Sequence, residues 1–388
     1  MGKPMTSPIR ILHALGSLNR GGIETWLMHV LRHIDRDRFH MDFLVHTDTP
    51  AAYDEEVRAL GSRIIPCRPT GLRRPWSYAT YSRRLTSILN EYGPYDVVHG
   101  HMQELSGYFL RAGERSGVNV RIAHSHNGVP PAQRQPGILR RVYGKWMGRQ
   151  IDRYATHGLA CSDVAARSMY GESWQSDSRW RILHYGIDPT PFAQRVVAKR
   201  MRSELGIPDG ARVAGHVGRF VEQKNHAFLV EVIAASVELA PNICFLLVGE
   251  GPLRPQIEQV IRDRNLARNV VFTGARSDVP HLMLSAMDIF VFPSLWEGLG
   301  IVVLEAQAAG LPALVSEYVP QECAVIPGQV EHLQLGDGPK SWAQSIVRLL
   351  DREPLDQAVA LASVSSSGFT VERSTRALQD VYIGSLSP

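Results

Sequence analysis

Short, almost uninterrupted apolar runs alternate along the first half of the chain with longer stretches whose apolar residues recur at helical spacing. Ile11–Leu15, Met41–His46, Ile64–Cys67, Asp96–His101, Val120–His126 and Leu159–Ser162 read as strands, and Ile23–Ile34, Tyr78–Leu89 and Glu104–Glu114 as helices. The alternation loosens after Ile182–Leu183, through the turn Tyr185-Gly186-Ile187-Asp188-Pro189, a basic helical stretch Arg195–Leu205 and the turn-rich Gly206–Gly210. It resumes with strands Val213–Val217, Ile243–Val248, Val270–Thr273, Ile289–Pro293 and Ala313–Ser316, separated by helices His226–Leu239, Leu253–Arg264, Val279–Ala286 and Val302–Ala309. Strands that trade places with helices predict parallel sheets covered on both faces, hence an α/β fold of two Rossmann-like, doubly wound domains facing across a cleft.

Composition refines this picture only slightly. With 388 residues, 44% of them hydrophobic and 21% charged, the chain can support two full cores. A formal net charge of +4 favours contact with phosphates or anionic lipid without marking a nucleic-acid binder. Cys67, Cys161, Cys244 and Cys323 are scattered without a CxxC pair and read as reduced, buried side chains, which favours a cytoplasmic setting. The longest apolar stretch, Ile301 to Val315, is interrupted by Glu305, Gly310 and Pro312, and no segment is expected to span a membrane.

Ligands of open parallel sheets bind beyond the carboxyl ends of the strands, so the loops there are where chemistry is expected. The first, Gly218-Arg219-Phe220-Val221-Glu222-Gln223-Lys224-Asn225, carries a guanidinium fork and an ammonium, a pairing suited to a diphosphate whose charge grows as it leaves; a solvated basic loop is the alternative. The second, Ser294-Leu295-Trp296-Glu297-Gly298-Leu299-Gly300-Ile301, leads into a helix. There Ile301, Leu304, Glu305 and Ala308 share a face, so Glu305 lies beside a buried apolar stripe. A carboxylate there needs donors, which ribose hydroxyls or a core arginine would supply. Glu297 is placed to accept hydrogen bonds from a sugar or simply to favour the helix dipole, and Gly298 and Gly300 let backbone amides approach an anion.

Gly21-Gly22, with Asn19 and Arg20 beside it, opens the first helix and is not a GxGxxG fingerprint. His99 and His101, then His124 and His126, cluster at strand ends. They lack an acidic partner at metal spacing, so no metal is expected; alternation along a strand leads us to expect at most one of each pair on the ligand side, with His126 the better candidate. Gly249-Glu250-Gly251-Pro252 and Gly274-Ala275-Arg276-Ser277-Asp278 are further strand-end loops able to hold a nucleotide.

Taken in order, Gly218-Arg219-Phe220 through Lys224-Asn225, Val248-Gly249-Glu250-Gly251-Pro252, Phe272-Thr273-Gly274 and the Glu297-x7-Glu305 spacing resemble the GT4 glycosyltransferases over nearly the whole chain. The resemblance implies a GT-B fold with an acceptor-binding domain at 1–190, a nucleotide-sugar-binding domain at 191–370 and a last helix, 371–388, that packs back toward the first domain. It implies that Arg219 and Lys224 hold the diphosphate, Glu305 the ribose and Glu297 the sugar, with His126 beside the transferred sugar. Gly21, Gly22, Gly218, Gly251, Arg276, Gly298, Leu299, Gly300 and Ile301 complete the donor-binding set. Tyr185 stands where asparagine is common, and Ser316–Glu322 lacks the usual glycine pair.

The activity so implied is retaining, metal-independent transfer of a hexosyl group, with the nucleotide sugar as co-substrate and no cofactor. A UDP-sugar is favoured as donor over GDP-mannose, and the acceptor is a glycan or lipid-linked glycan of surface polysaccharide. The alternatives are a GT-B sugar-nucleotide epimerase and a non-catalytic nucleotide-sugar-binding protein. Basic, aromatic stretches at Leu72–Trp76 with Arg83-Arg84, and at Arg140–Trp146, suggest peripheral contact with anionic lipid at the inner face of the membrane, or else solvated helix faces with inward tryptophans.

Overall fold

The computed structural model describes residues 7–68, 75–129, 137–194 and 198–386. Of the first basic stretch, Leu72–Arg74 lies outside them, as do residues 195–197 of the basic helical stretch, whose described part is helical over Ala198–Glu204. The chain divides into two compact units, Met1–Gly186 with Val371–Pro388, and Ile187–Thr370.

The first unit is built on a seven-stranded sheet. Its strands are β1 Ile9–Leu15, β2 Phe39–Val45, β3 Ile64–Pro66, β4 Val97–Gly100, β5 Val120–Ser125, β6 His157–Ala160 and β7 Trp180–Ile182. They lie in the order β3-β2-β1-β4-β5-β6-β7, all parallel, and the order reverses beside β1, between β1 and β4. That reversal is the switch point at which such sheets bind ligands. The helices are α1 Gly22–His33, α2 Asp54–Ala59, α3 Pro75–Tyr92, α4 Ser106–Arg115, α5 Ile138–Tyr154 and α6 Asp163–Tyr170. Leu12, Ala14, Leu44 and Val98, with Phe109 and Leu85 above them, belong to one of its core clusters.

The second unit begins with α7 Ala198–Glu204 and repeats the plan with six strands. These are β8 Arg212–Val217, β9 Ile243–Val248, β10 Val270–Gly274, β11 Ile289–Phe292, β12 Ala313–Ser316 and β13 Val330–Leu333, in the order β10-β9-β8-β11-β12-β13. Its helices are α8 His226–Leu239, α9 Arg254–Asp263, α10 Val279–Ser285, α11 Ile301–Ala308, α12 Gly338–Leu350 and α13 Gln357–Ser366. The core joins Ile233, Phe245, Leu247 and Val291 to Trp342 of α12. A last helix, α14 Val371–Leu386, belongs to the first unit, where it packs on α1 and buries Leu378 and Tyr382. The two doubly wound sheets are those expected from the alternation of strands and helices.

Several elements were not read from the pattern. β7 is three residues long and β13 is half-buried throughout, so neither offers a continuous apolar run. α5 turns Met147, Ile151 and Tyr154 inward and leaves both basic and apolar side chains exposed.

Candidate active site

In the second unit the loops beyond β8, β9, β10 and β11 are stitched together by their own backbone. Gly218 N–H donates to Val248 (2.9 Å), Phe220 N–H to Glu250 (2.9 Å) and Gly249 N–H to Gly274 (2.9 Å). A Cβ on Gly251 would come within 2.5 Å of the Phe220 carbonyl oxygen, so glycine is required there for this close approach. The Leu295 amide donates to Gln223 O (2.8 Å), the Gln223 side chain to Trp296 O (2.9 Å) and the Asn225 side chain to Pro293 O (3.1 Å). Asn225, with φ of 55°, occupies the left-handed region that asparagine tolerates, turning the chain into α8.

This stitching brings Lys224 to Glu297, with Nζ 2.5 Å from Oε1, although 73 residues separate them. The side chains are only 15% and 8% exposed, and the ammonium also lies 4.4 Å from the centre of the Phe292 ring. Two charges so far out of water are held by mutual attraction against a desolvation cost of several kcal/mol per ion. A ligand that offers Lys224 an anion and Glu297 a hydroxyl would replace that compensation for both.

Arg219 is exposed, and among the described residues its side chain forms no hydrogen bond or ion pair. Glu305, on α11, likewise has no side-chain partner among them. The core arginine offered as its alternative partner is therefore not found among the described residues. Burial alone pushes its carboxyl up to about 7, well above the ordinary carboxylate range. Gly300, with φ of 81°, caps α11, and Leu299 packs inward behind it. Arg276 is held by Asp278 through bonds of 2.8 and 2.6 Å from Nε and Nη2, which use two of its five N–H donors.

His216 and His226, not singled out from the sequence, are buried beside Lys224. His216 Nδ1 pairs with the Val291 carbonyl (2.9 Å), and His226 stacks on Phe220 with ring centres 4.0 Å apart. Burial holds them at about 4 and about 2 respectively, so both are neutral at pH 7 and add no charge to the loop.

In the first unit α1 begins at Gly22, with Gly21 as its cap. The carboxylate of Glu24 folds back over that cap, close enough that a Cβ on Gly21 would strike it. The histidine expectation is corrected here. Residues two apart on a strand share a face, so His99 and His101 lie together, with ring centres 4.2 Å apart, as do His124 and His126, also at 4.2 Å. His13 of β1 joins them, and burial keeps the whole group neutral, with His13 and His126 pushed down to about 3.

Nitrogens of His13, His99 and His101, and of His101, His124 and His126, lie within 4.8 Å of one another, close enough for one ion. Most of those nitrogens are already hydrogen-bonded to each other, at 2.8 to 3.1 Å.

Two family models match the chain in succession: glycosyltransferase family 4 over residues 20–190 and glycosyl transferases group 1 over residues 197–362. A putative glycosyltransferase, EpsF, from Bacillus subtilis is 33% identical over 97% of this chain and 97% of its own length. The chain belongs to glycosyltransferase family 4.

Another relative of this family 4 glycosyltransferase, at 25% identity over 98% of each chain, is the Escherichia coli UDP-Gal:alpha-D-GlcNAc-diphosphoundecaprenol alpha-1,3-galactosyltransferase. Among solved structures, Anabaena Alr3699/HepE in complex with UDP and glucose superposes with a TM-score of 0.76, covering 97% of this chain and all of the other at 18% identity. WaaG, a glycosyltransferase involved in lipopolysaccharide biosynthesis, gives 0.73 over 96% of this chain. These likenesses show the GT-B fold expected from the motifs.

For the family 4 glycosyltransferase, then, Gly218, Lys224, Gly251, Glu297 and Gly298 to Glu305 come together at the carboxyl ends of the second sheet, with Arg219 exposed beside them. Gly21, Gly22 and His126 belong to the first unit. The Lys224–Glu297 pair was not legible as a pair, because nothing in either loop's sequence registers it against the other.

Proposed function

We propose that the enzyme transfers a hexosyl group, with retention and without a metal ion, from a UDP-sugar to a glycan or lipid-linked acceptor of surface polysaccharide. The observation that carries this reading is the buried Lys224–Glu297 pair beside the unpartnered side chains of Arg219 and Glu305. On donor binding Lys224 exchanges Glu297 for the diphosphate, and Arg219 supplies a second cation. Glu297 then accepts from sugar hydroxyls and Glu305 from the ribose. Positive charge fixed where the leaving diphosphate gains negative charge lowers the barrier without reorganisation. With no carboxylate at the His126 position to act as nucleophile, the acceptor attacks from the face the diphosphate leaves, and a departing phosphate oxygen takes its proton.

UDP is favoured over GDP because HepE is described with UDP and UDP-glucose, and the Escherichia coli relative is named for UDP-Gal. A thermal-shift panel of UDP, GDP, ADP and CDP tests the donor. The expected result is a selective shift with UDP that Glu305→Ala abolishes, whereas a larger shift with GDP would replace the assignment. Activity should persist in chelator; loss on chelation with recovery on adding manganese would contradict metal independence.

Peripheral membrane contact is also proposed, and α5 supports it. Ile138 is 78% exposed, Leu139 88% and Val142 62%, next to exposed Arg140, Arg141, Lys145 and Arg149. Apolar side chains flanked by cations on one helix suit insertion at an anionic interface. No helix among the described residues is long and apolar enough to cross a membrane.

A further inference from the structure

The buried rings of the first unit are joined end to end. His126 Nε2 meets His101 Nδ1 at 2.8 Å, His101 Nε2 meets His13 Nδ1 at 2.9 Å, and His13 Nε2 lies 3.5 Å from the hydroxyl of Tyr382. That hydroxyl meets His99 Nδ1 at 2.9 Å, and His99 Nε2 meets His124 Nδ1 at 3.1 Å. The chain ends in two buried nitrogens with no partner among the described residues, His126 Nδ1 and His124 Nε2. Tyr382 comes from α14, at the far end of the sequence, and is itself wholly buried.

Proton counting constrains such a chain. A neutral imidazole carries one N–H and one bare nitrogen, and a phenol carries one O–H. If Tyr382 donates to His99, then His99 must donate to His124, which is left with an outward N–H at Nε2. On the other side His13 donates to Tyr382, His101 to His13 and His126 to His101, leaving His126 Nδ1 bare. If Tyr382 donates to His13 instead, every bond on both sides reverses, and His126 carries its proton on Nδ1. No proton is gained or lost between these two arrangements.

We propose that the hydroxyl of Tyr382 sets which ring nitrogen of His126 carries the proton, making α14 a positioning element for that histidine. A phenol is the better donor and an imidazole nitrogen the better acceptor, so the hydroxyl donates along its shorter contact, to His99. His126 is then the Nε2–H tautomer and offers Nδ1 as an acceptor. The neutrality that the counting requires agrees with the burial of all the rings. Only the consequence for catalysis rests on the function proposed above, which puts His126 beside the transferred sugar.

Histidine-selective 15N spectra of the full-length protein test the inference without reference to activity. The wild type should show His126 as a single Nε2–H tautomer and His124 likewise protonated at Nε2. In Tyr382→Phe both should move toward a mixture of tautomers. In His13→Phe, which cuts only one arm, His126 should move and His124 should not; this second variant keeps the test decisive if Tyr382→Phe does not fold. Unchanged His126 shifts in a folded variant, a His126 imidazolium at pH 7, or a stoichiometric metal ion bound by the rings as purified would each overturn the proposal.

In turnover assays Tyr382→Phe should lower kcat roughly tenfold, the worth of about one hydrogen bond, and leave the KM for donor unchanged. A shifted tautomer with unaltered kcat would uphold the coupling and remove His126 from the reaction instead.

Discussion

The strand ends of the two sheets carry opposite kinds of chemistry. Those of the first unit hold neutral imidazoles bonded to one another, while those of the second hold a buried ammonium–carboxylate pair, an exposed guanidinium and a carboxyl pushed up to about 7. Among the described residues the neutral cluster satisfies itself apart from its two chain ends, and the proposed role for it is to fix orientation. Under the proposed function the ion pair, the guanidinium and the carboxyl of the second unit instead meet the donor. On the function proposed above, one fold plan, used twice, separates positioning from charge stabilisation.

The largest effect that would sharpen this contrast is expected at Lys224. Lys224→Ala should cut kcat by about 10²–10³, the usual loss when one fixed charge facing a transition state is removed. Parent-like turnover in the purified variant would break the comparison at its charged side.

Acid stability probes the neutral side. The histidines of the cluster titrate below their unfolded value of 6.5, so on acidification the unfolded chain binds protons that the folded chain refuses. Their contribution is present above pH 6.5 and is lost as pH falls from there toward about 3, by up to about 1.4 kcal/mol per pH unit for each ring. Glu305 works the other way, since its raised folded value favours the folded state as pH falls from about 7 to 4.5. Several rings outweigh one carboxyl, so the melting temperature should drop steadily from pH 6.5 to 4.5. A flat profile would show that the rings are not buried as neutral groups.

Glu305→Gln offers a finer test. It removes a carboxyl whose ionisation costs stability above pH 7, so it should raise the melting temperature of the ligand-free enzyme more at pH 8 than at pH 5. Equal shifts at both pH values would mean that Glu305 is not held protonated. The smallest effect concerns α5. Replacing Arg140 with alanine should reduce co-sedimentation with phosphatidylglycerol vesicles about fivefold, at about 1 kcal/mol for one charge, with turnover of a soluble acceptor unchanged. Undiminished sedimentation would remove the membrane from the account.

Helices and strands were legible where the core was deepest. α8, β9 and β12 have the limits that their apolar runs suggest, because Ile243–Val248 and Ala313–Ser316 are buried at every position. Elements at the periphery were less legible: β13, Val-Glu-His-Leu, is a half-buried edge, and α12 becomes an obvious helix only once Trp342 and Ile346 are seen filling the core under α8. Of the site, the residue types and strand-end positions could be read, since they depend on local order. The partners could not, because Lys224 with Glu297 and Tyr382 with His99 are joined only by tertiary packing. Reading His99 and His101 as facing apart was an error of strand geometry rather than a gap in the sequence.

Calorimetric titration of UDP into the wild type and into Glu305→Ala and Lys224→Ala tests the central claim most directly, that the second sheet's charged loops hold the donor. Saturable binding to the wild type, weakened at least tenfold by either substitution, is the predicted result. Equal affinity in all three proteins would contradict it.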